Sequence, residues 1–497
     1  MGTILFLCAY SFLLTFLCTG SSPFINYMGI DSSVFFTIGR GMVAGKVPYL
    51  DLFDHKGLYL YFINYLGALL SSDTSIGIFF VECCFMCINS ILFYKIVKTF
   101  IRDTFKCVVS VMLIVGITLN YLNHEGGNNT EFYSLTFQLI AFFLVTRYYQ
   151  SEQVKHSPVL MFIHGICVGV VLFLRANMVA MWGAVAIVIG WRLFSHKEYK
   201  NFVANIFAGL MGLIVGLAPP IVYMIFTGSL NAMIDSYISF NMLYIGKESL
   251  FTRILHTYAD YTGIMMLFLT FLMTLSVIIF CKSNNKRSMK VMFVLAYVLS
   301  LLSVFVAGRN AAHYFEPLML YLIPLVVYSV ERAQINCTYK KLGAICVIFV
   351  LTVGLNGRTP TRLFINARSK DYVRFAEKAG KIWGAMKHQT GAVLSTGDWP
   401  TALLYTKMNV IPSERYFYHP MISYDIYPYA VDAHVYSILN DENDVVIANY
   451  AGQSQKDNGL LLSNTPRNNE VISHLAKNYD LILEDYERQM WVRKRKD

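Results

Sequence analysis

Residues 57–70, GLYLYFINYLGALL, decide how the rest of the chain is laid out. The stretch is apolar but short, and the charged triplet Asp54-His55-Lys56 stands directly before it. A helix needs roughly 20 mostly apolar residues to cross a bilayer. If 57–70 crossed, every later loop would change sides. Outside it lie eleven other apolar stretches, at about 3–19, 76–98, 106–122, 131–149, 158–174, 178–194, 203–227, 259–281, 290–307, 312–330 and 342–356. The first has no Lys or Arg in front of it, so it reads as an uncleaved span rather than a signal peptide. Loop charge arbitrates. With 57–70 dipping into the membrane or lying along it, the loops 95–106, 147–157, 192–200, 282–290 and 331–341 hold 16 Lys and Arg. The opposite loops hold 7, although they are longer in total. Cationic loops stay cytoplasmic. The N-terminus is therefore expected inside, with 20–75 and the tail after 357 outside.

Composition supports a membrane body. The chain has 497 residues, 56% of them hydrophobic and only 14% charged, where a soluble protein carries about 25%. The charged residues gather in the C-terminal part. This divides the sequence into a membrane domain, 1–356, and a polar domain, 357–497. In the latter, helix-like stretches (371–388 and 469–477) alternate with short apolar runs, DVVIANY (444–450) and DLILED (480–485). A small extracytoplasmic α/β domain is expected, without a GxGxxG or P-loop nucleotide site. The formal charge of +10 is scattered between apolar runs and forms no basic stripe, which argues against nucleic acid. The ten cysteines lie in or beside apolar segments, and the C-x-x-C pair Cys84 and Cys87 sits inside an apolar helix, so it does not read as a zinc site. They read as packing residues.

On this layout the polar residues converge. Asp31, Asp51, Asp54, His55 and Lys56 lie in the first outer loop; His124, Glu125, Asn128 and Glu131 in the second; Arg175 and Asn177 in the third; Arg309, Asn310 and His313 between the ninth and tenth spans. Only Glu82 looks deep. Charges near hydrocarbon are costly and are usually paired or functional. Lys56, Arg175, Arg309 and His313 form a cationic set suited to a phosphate. Asp31 and Asp54 are carboxylates able to take a proton from a hydroxyl. Plainer readings stand beside these. The run 32–44 is spaced as a helix lying in the membrane interface, and Asp31 could simply cap it. The triplet 54–56 could be an interface anchor. EGGNNTE could be a tight turn with a helix cap, and Asn128-Asn129-Thr130 fits a glycosylation acceptor. Arg175 and Arg309 could be ordinary helix-end charges.

At these residues the sequence resembles the GT-C class of polytopic glycosyltransferases, which includes protein O-mannosyltransferases and the lipid A aminoarabinose transferases. Gly29-Ile30-Asp31 resembles their acidic position after the first span, followed by juxtamembrane helices. GMVAGKVPYLDLFDHKG (41–57) resembles the bacterial members' G-x-x-P-Y-x-D-x-F-D-x-K-G-P, matching at Gly45, Pro48, Tyr49, Asp51, Phe53, Asp54, Lys56 and Gly57. It departs at Leu58, where Pro is usual. GGNNTE (126–131) and GRNAAHYFEPLML (308–320) are similar to recurring outer-loop segments. The resemblance implies a fold of about eleven transmembrane helices with juxtamembrane helices in the 20–75 loop, plus the C-terminal domain. It implies an inverting transfer from a polyprenyl monophosphate sugar to an envelope glycan, lipid or protein, in a bacterial inner (plasma) membrane. Asp31 would be the general base, Lys56 and Arg309 would bind the donor phosphate, and Asp54, His55, Glu131 and His313 would support them. No D-x-D motif for a metal-bound nucleotide sugar is present, and the scheme requires no cofactor, although the acids leave room for a divalent metal. Three rival readings differ in class. A polyprenyl-diphosphate-linked glycan ligase or polymerase shares the outer-face logic. A lipid-linked-sugar flippase or transporter would need polar groups through the membrane's depth and internal repeats. A non-catalytic scaffold would tolerate any residue at position 31.

Overall fold

In the computed structural model, helices form at each of the eleven apolar stretches, because a backbone in hydrocarbon must satisfy its hydrogen bonds within its own segment. The structure describes the whole chain except residues 26–27, 121–123, 152, 246–247, 260, 307–310, 335–337, 357–366, 387–391, 397–401, 421, 450–466, 486–487 and 495–497. In chain order the first helices are α1 (Gly2–Cys18), α2 (Ile30–Val43), α3 (Leu58–Leu70), α4 (Ile76–Val97), α5 (Thr104–Thr118), α6 (Thr130–Gln150) and α7 (Pro158–Leu172). They are followed by α8 (Ala180–Ser195), α9 (Tyr199–Thr227), α10 (Tyr261–Lys282), α11 (Arg287–Val306), α12 (Ile323–Arg332) and α13 (Thr338–Asn356). A 3₁₀ segment, Ala312–Leu322, leads into α12. Among the described residues six helices are long and apolar enough to cross a membrane: Ile76–Val97, Ala176–Ser195, Tyr199–Thr227, Gly263–Lys282, Arg287–Val306 and Ala312–Arg332. The others are shorter or more polar than that standard.

The deciding segment, α3, has 13 residues. At 1.5 Å per residue it reaches about 20 Å, well short of a hydrocarbon core of about 30 Å. It packs between α2 and α4. One contact fixes it to α9, which contains Pro219 and Pro220. A proline lacks the N–H that would bond the carbonyl four residues earlier. Pro220 therefore leaves the Gly216 carbonyl without its helical donor, and the Tyr59 hydroxyl of α3 donates to that carbonyl at 2.7 Å.

The C-terminal part builds a four-stranded sheet in the order β1-β2-β4-β3 from β1 (Val393–Ser395), β2 (Val445–Asn449), β3 (Tyr479–Glu484) and β4 (Arg488–Arg493). β1 runs parallel to β2, with Val393 opposite Val445. The other pairings are antiparallel. Leu394, Val446 and Ala448 pack against Val431, Val435 and Ile438 of helix Tyr429–Leu439 and against Leu475 of helix Asn468–Asn478. The apolar runs at 444–450 and 480–485 are thus strands, as read. β4 and helix Tyr429–Leu439 carry no comparable sequence signal.

This unit is seated on α2 and on the motif loop. Buried Arg40 donates to the Tyr405 and Val410 carbonyls at 3.0 and 3.3 Å and to Asn409 Oδ1 at 2.5 Å. Phe53 N–H donates to the Arg415 carbonyl at 2.7 Å, and the Phe53 ring lies 5.0 Å from that of Tyr416.

Candidate active site

The motif loop is shaped by its own residues. Val47 N–H donates to Asp51 Oδ2 at 2.7 Å, and Asp51 N–H returns to the Val47 carbonyl at 2.8 Å. Inside that turn Tyr49 adopts φ 67°, a left-handed conformation uncommon for a bulky side chain. Its hydroxyl donates to the Lys56 carbonyl at 2.8 Å. Gly57 then lies flat on the loop before Arg175: a Cβ there would stand 2.1 Å from the Phe173 carbonyl oxygen. Gly57 and Tyr59 N–H groups bond the Leu174 and Phe173 carbonyls at 3.3 and 3.0 Å. This seam brings Lys56 and Arg175 into one charge cluster.

Asp54 is buried and held on both oxygens, by the Tyr61 hydroxyl at 2.8 Å and by the Tyr418 hydroxyl of the C-terminal unit at 2.8 Å. His55 Nδ1 lies 3.3 Å away. Burial works against the charged form, but His55, Lys56 and Tyr418 outweigh it and bring the Asp54 carboxyl down to about 2. Burial and the neighbouring Lys56 push His55 down to about 4. Its Nε2 is 3.1 Å from Lys56 Nζ, so a neutral imidazole can accept from the ammonium. Asn241, in the helical stretch 230–245, donates to the His55 carbonyl at 2.8 Å.

The second loop is wound tightly, with Glu125, Gly126, Gly127 and Asn128 all at positive φ. Buried Glu82 is its anchor, accepting from the Ser21 hydroxyl and from Asn128 N–H at 2.6 Å. A Cβ on Gly127 would lie 2.0 Å from Glu82 Oε1. Glu82 is less than two turns into α4 at 3.6 residues per turn, so its depth in the sequence is resolved as a loop support. The Asn128 amide bonds Ser32, Asn64 and Tyr133 and is buried, which accounts for it without glycosylation. Asn129 caps α6 through Phe132 N–H at 2.7 Å. Both the turn and the cap readings of EGGNNTE therefore hold.

Glu131, in the first turn of α6, pairs with Arg175 and accepts from the Thr130 hydroxyl at 2.6 Å. The Arg175 guanidinium lies 3.8 Å from the Tyr314 ring centroid. Next to Tyr314, His313 reaches Glu125 Oε2 at 2.8 Å and lies 3.9 Å from Glu131 Oε1. Beneath them His124 pairs with Glu316 at 2.9 Å, both buried. Arg309, assigned to the donor phosphate from the sequence, lies outside the described residues.

Two charged groups have no ion-pair partner among the described residues. Asp31 does not cap α2; the cap position is Gly29, and Asp31 stands in the first turn. Among the described residues its carboxylate has no hydrogen bond. Burial raises its pKa, with Lys56 and His313 pulling the other way. Lys56 has no carboxylate within ion-pair distance among the described residues, although Tyr314, Asp31 and Asp54 together keep it charged against burial. Among the described residues, a carboxylate without a hydrogen bond and an ammonium bonded to the His55 ring rather than to a carboxylate thus share one charge cluster. No group of His, Cys, Asp and Glu among the described residues is arranged to hold a metal. Sequence reasoning missed Tyr418, Tyr314, Asn241, Glu316 and the role of Glu82. Their partners are distant in the chain, and no local pattern marks them.

The fold has solved counterparts. The chain is similar to the crystal structure of ArnT from Cupriavidus metallidurans bound to undecaprenyl phosphate, with TM-score 0.64 and 9% identity, over 98% of this chain and 97% of that one. The apo form of the same protein superposes with TM-score 0.60 and 10% identity, over 99% and 97%. These counterparts give the chain an ArnT-like fold, as the motif resemblance led one to expect. No curated protein matches it in sequence. Residues 3–342 match the family described as the competence-induced protein Ccs4 N-terminal domain, and that match spans most of the chain. The protein is a member of the Ccs4 N-terminal-domain family, with an ArnT-like fold.

Proposed function

We propose that this protein is an inverting glycosyltransferase that takes a sugar from a polyprenyl monophosphate and passes it to an acceptor hydroxyl outside the cytoplasmic membrane. The carrying observation is the Asp31 carboxylate, without a hydrogen bond among the described residues, coupled electrostatically to a Lys56 ammonium that has no carboxylate partner there. Asp31 removes the proton of the acceptor hydroxyl. The freed oxygen attacks the anomeric carbon from the face opposite the phosphate, a new C–O bond forms, and the bond from that carbon to the phosphate oxygen breaks. The phosphate departs with one more negative charge, which Lys56 and Arg309 stabilise as it develops. Arg175, already paired with Glu131, adds field and holds Tyr314 in place. Asp54, His55, Glu131 and His313 keep the cations oriented. The undecaprenyl phosphate held by the similar ArnT structure supports a monophosphate carrier.

The topology belongs to the same proposal. Eleven spans, an inside N-terminus and a C-terminal unit on the outer side place the cluster in a bacterial inner membrane, facing out. The C-terminal unit, seated on the motif loop through Arg415 and Tyr418, would cover the cluster. The test is transfer from synthetic polyprenyl monophosphate sugars by purified wild type and Asp31→Asn. Wild-type transfer that Asp31→Asn abolishes is the expected result. Undiminished transfer by Asp31→Asn removes it as the base. Transfer only from a diphosphate-linked glycan would favour a ligase or polymerase instead.

A further inference from the structure

A second charged cluster lies at the opposite end of the same helices. α4 and α6 pack together, and each begins near Asp31 and runs away from it for 22 and 21 residues. At 1.5 Å per residue that is roughly 30 Å. Where they end, a cavity of about 640 Å³ opens between their last turns and the start of α7. Lys95, Lys98 and Arg147 line it, with Tyr94, Phe143 and Leu160. Among the described residues no carboxylate lines it, and none of the three cations has an ion-pair partner. Lys95 Nζ lies 5.7 Å from the Phe143 ring centroid, and Lys98 Nζ lies 3.4 Å from the Tyr94 hydroxyl.

A cation in the last turn of a helix suits the helix dipole, and that alone would explain Lys95 and Arg147. It does not explain three unpaired cations meeting over an aromatic-lined cavity. The outward faces of the two helices say what kind of anion fits. On α4, exposed Phe80, Cys84 and Ile88 form an apolar stripe at helical spacing that leads to Lys95. On α6, half-buried Ile140, Phe143 and Leu144 lead to Arg147. Stripes of this kind carry acyl chains, and their charged ends sit at headgroup level.

We propose that this cavity binds the phosphate headgroup of an anionic lipid in the leaflet opposite the transfer site, with its chains along the α4 and α6 stripes. The shared chemistry is a phosphate against three cations; the apolar tracks select a lipid over a free ion.

The experiment uses the full chain in phosphatidylcholine nanodiscs with and without phosphatidylglycerol, read by native mass spectrometry and thermal shift. The variants are Lys95→Gln/Lys98→Gln/Arg147→Gln and, as a control of equal charge loss, Lys282→Gln/Lys286→Gln/Arg287→Gln. Wild type and the control should retain phosphatidylglycerol and gain thermal stability from it, while the first variant binds it roughly a hundredfold more weakly. Inorganic phosphate should neither stabilise the protein nor displace the lipid. If the triple variant does not fold, Lys98→Gln alone should weaken binding about fivefold. Undiminished binding by the variants of this cavity overturns the proposal. So does equal loss in the control, which would mean diffuse surface charge, and so does equal stabilisation by inorganic phosphate, which would mean an ion site.

Discussion

Asp31 carries a conflict that a single substitution can expose. Its carboxyl is raised by burial, so the charged form that a base requires costs folding stability. The sign follows from linkage: a folded pKa above the unfolded value contributes stability only at low pH and loses it as pH rises through the folded value. Asp31→Asn should therefore melt no lower than wild type at neutral pH, while transfer falls by about 10²–10⁴-fold, the usual worth of a positioned base. Transfer in wild type should rise with pH on a limb displaced above the ordinary carboxylate range. His55 works in the opposite direction. Its pKa near 4 lies below the unfolded value, so the stability it confers is present above about pH 6.5 and is lost as pH falls toward 4. His55→Gln should flatten thermal stability across that window. A slope equal to that of wild type would show that the imbalance lies elsewhere.

At the scale of elements, α3 and the seam before it set the geometry. Gly57 has no room for a side chain against the Phe173 carbonyl. Gly57→Ala should cost about 1–3 kcal/mol in overpacking and should displace Lys56, so transfer falls more than stability does. Retained transfer at normal yield would show that the seam does not position the ammonium. The helix itself gives a topological prediction. On the proposed topology α3 does not cross, so Leu50→Cys before it and Ser72→Cys after it should both react with an impermeant thiol reagent from the same side. Labelling from opposite sides would make α3 a span. The motif 41–57 could be read from sequence because Gly, Pro and Asp have few uses within an apolar run, and each proves to shape the loop. Asp51 closes the turn and Gly57 makes the docking surface. The Glu82 support and the His124–Glu316 pair could not be read. An acid inside an apolar helix looks the same whether it faces a pore, a partner or a loop, and only packing decides.

For the whole molecule, the junction between the two parts is the decisive contact. Arg40 is buried under the C-terminal unit and meets three acceptors there. Arg40→Ala should cost about 2 kcal/mol or more through the acceptors left bare, loosen the unit to limited proteolysis, and lower transfer with every residue near Asp31 intact. Unchanged proteolysis would mean that the seat does not depend on Arg40. The helices at the apolar stretches and the strands at 445–449 and 479–484 were legible because periodicity and hydropathy are local. The seating was not, since Tyr418 lies 364 residues from Asp54 and its sequence neighbours give no hint of that partner.

The same hydroxyl bears on how the molecule is made. A chain is synthesised from its N-terminus, so Asp54 and Tyr61 are in place long before Tyr418 exists. Through most of insertion the Asp54 carboxylate is one donor short and the loop carrying Lys56 is uncovered. The centre is completed only when nearly the whole polypeptide has left the ribosome. On the proposed function, timing of that kind would keep a half-built site from losing a lipid-bound sugar to water.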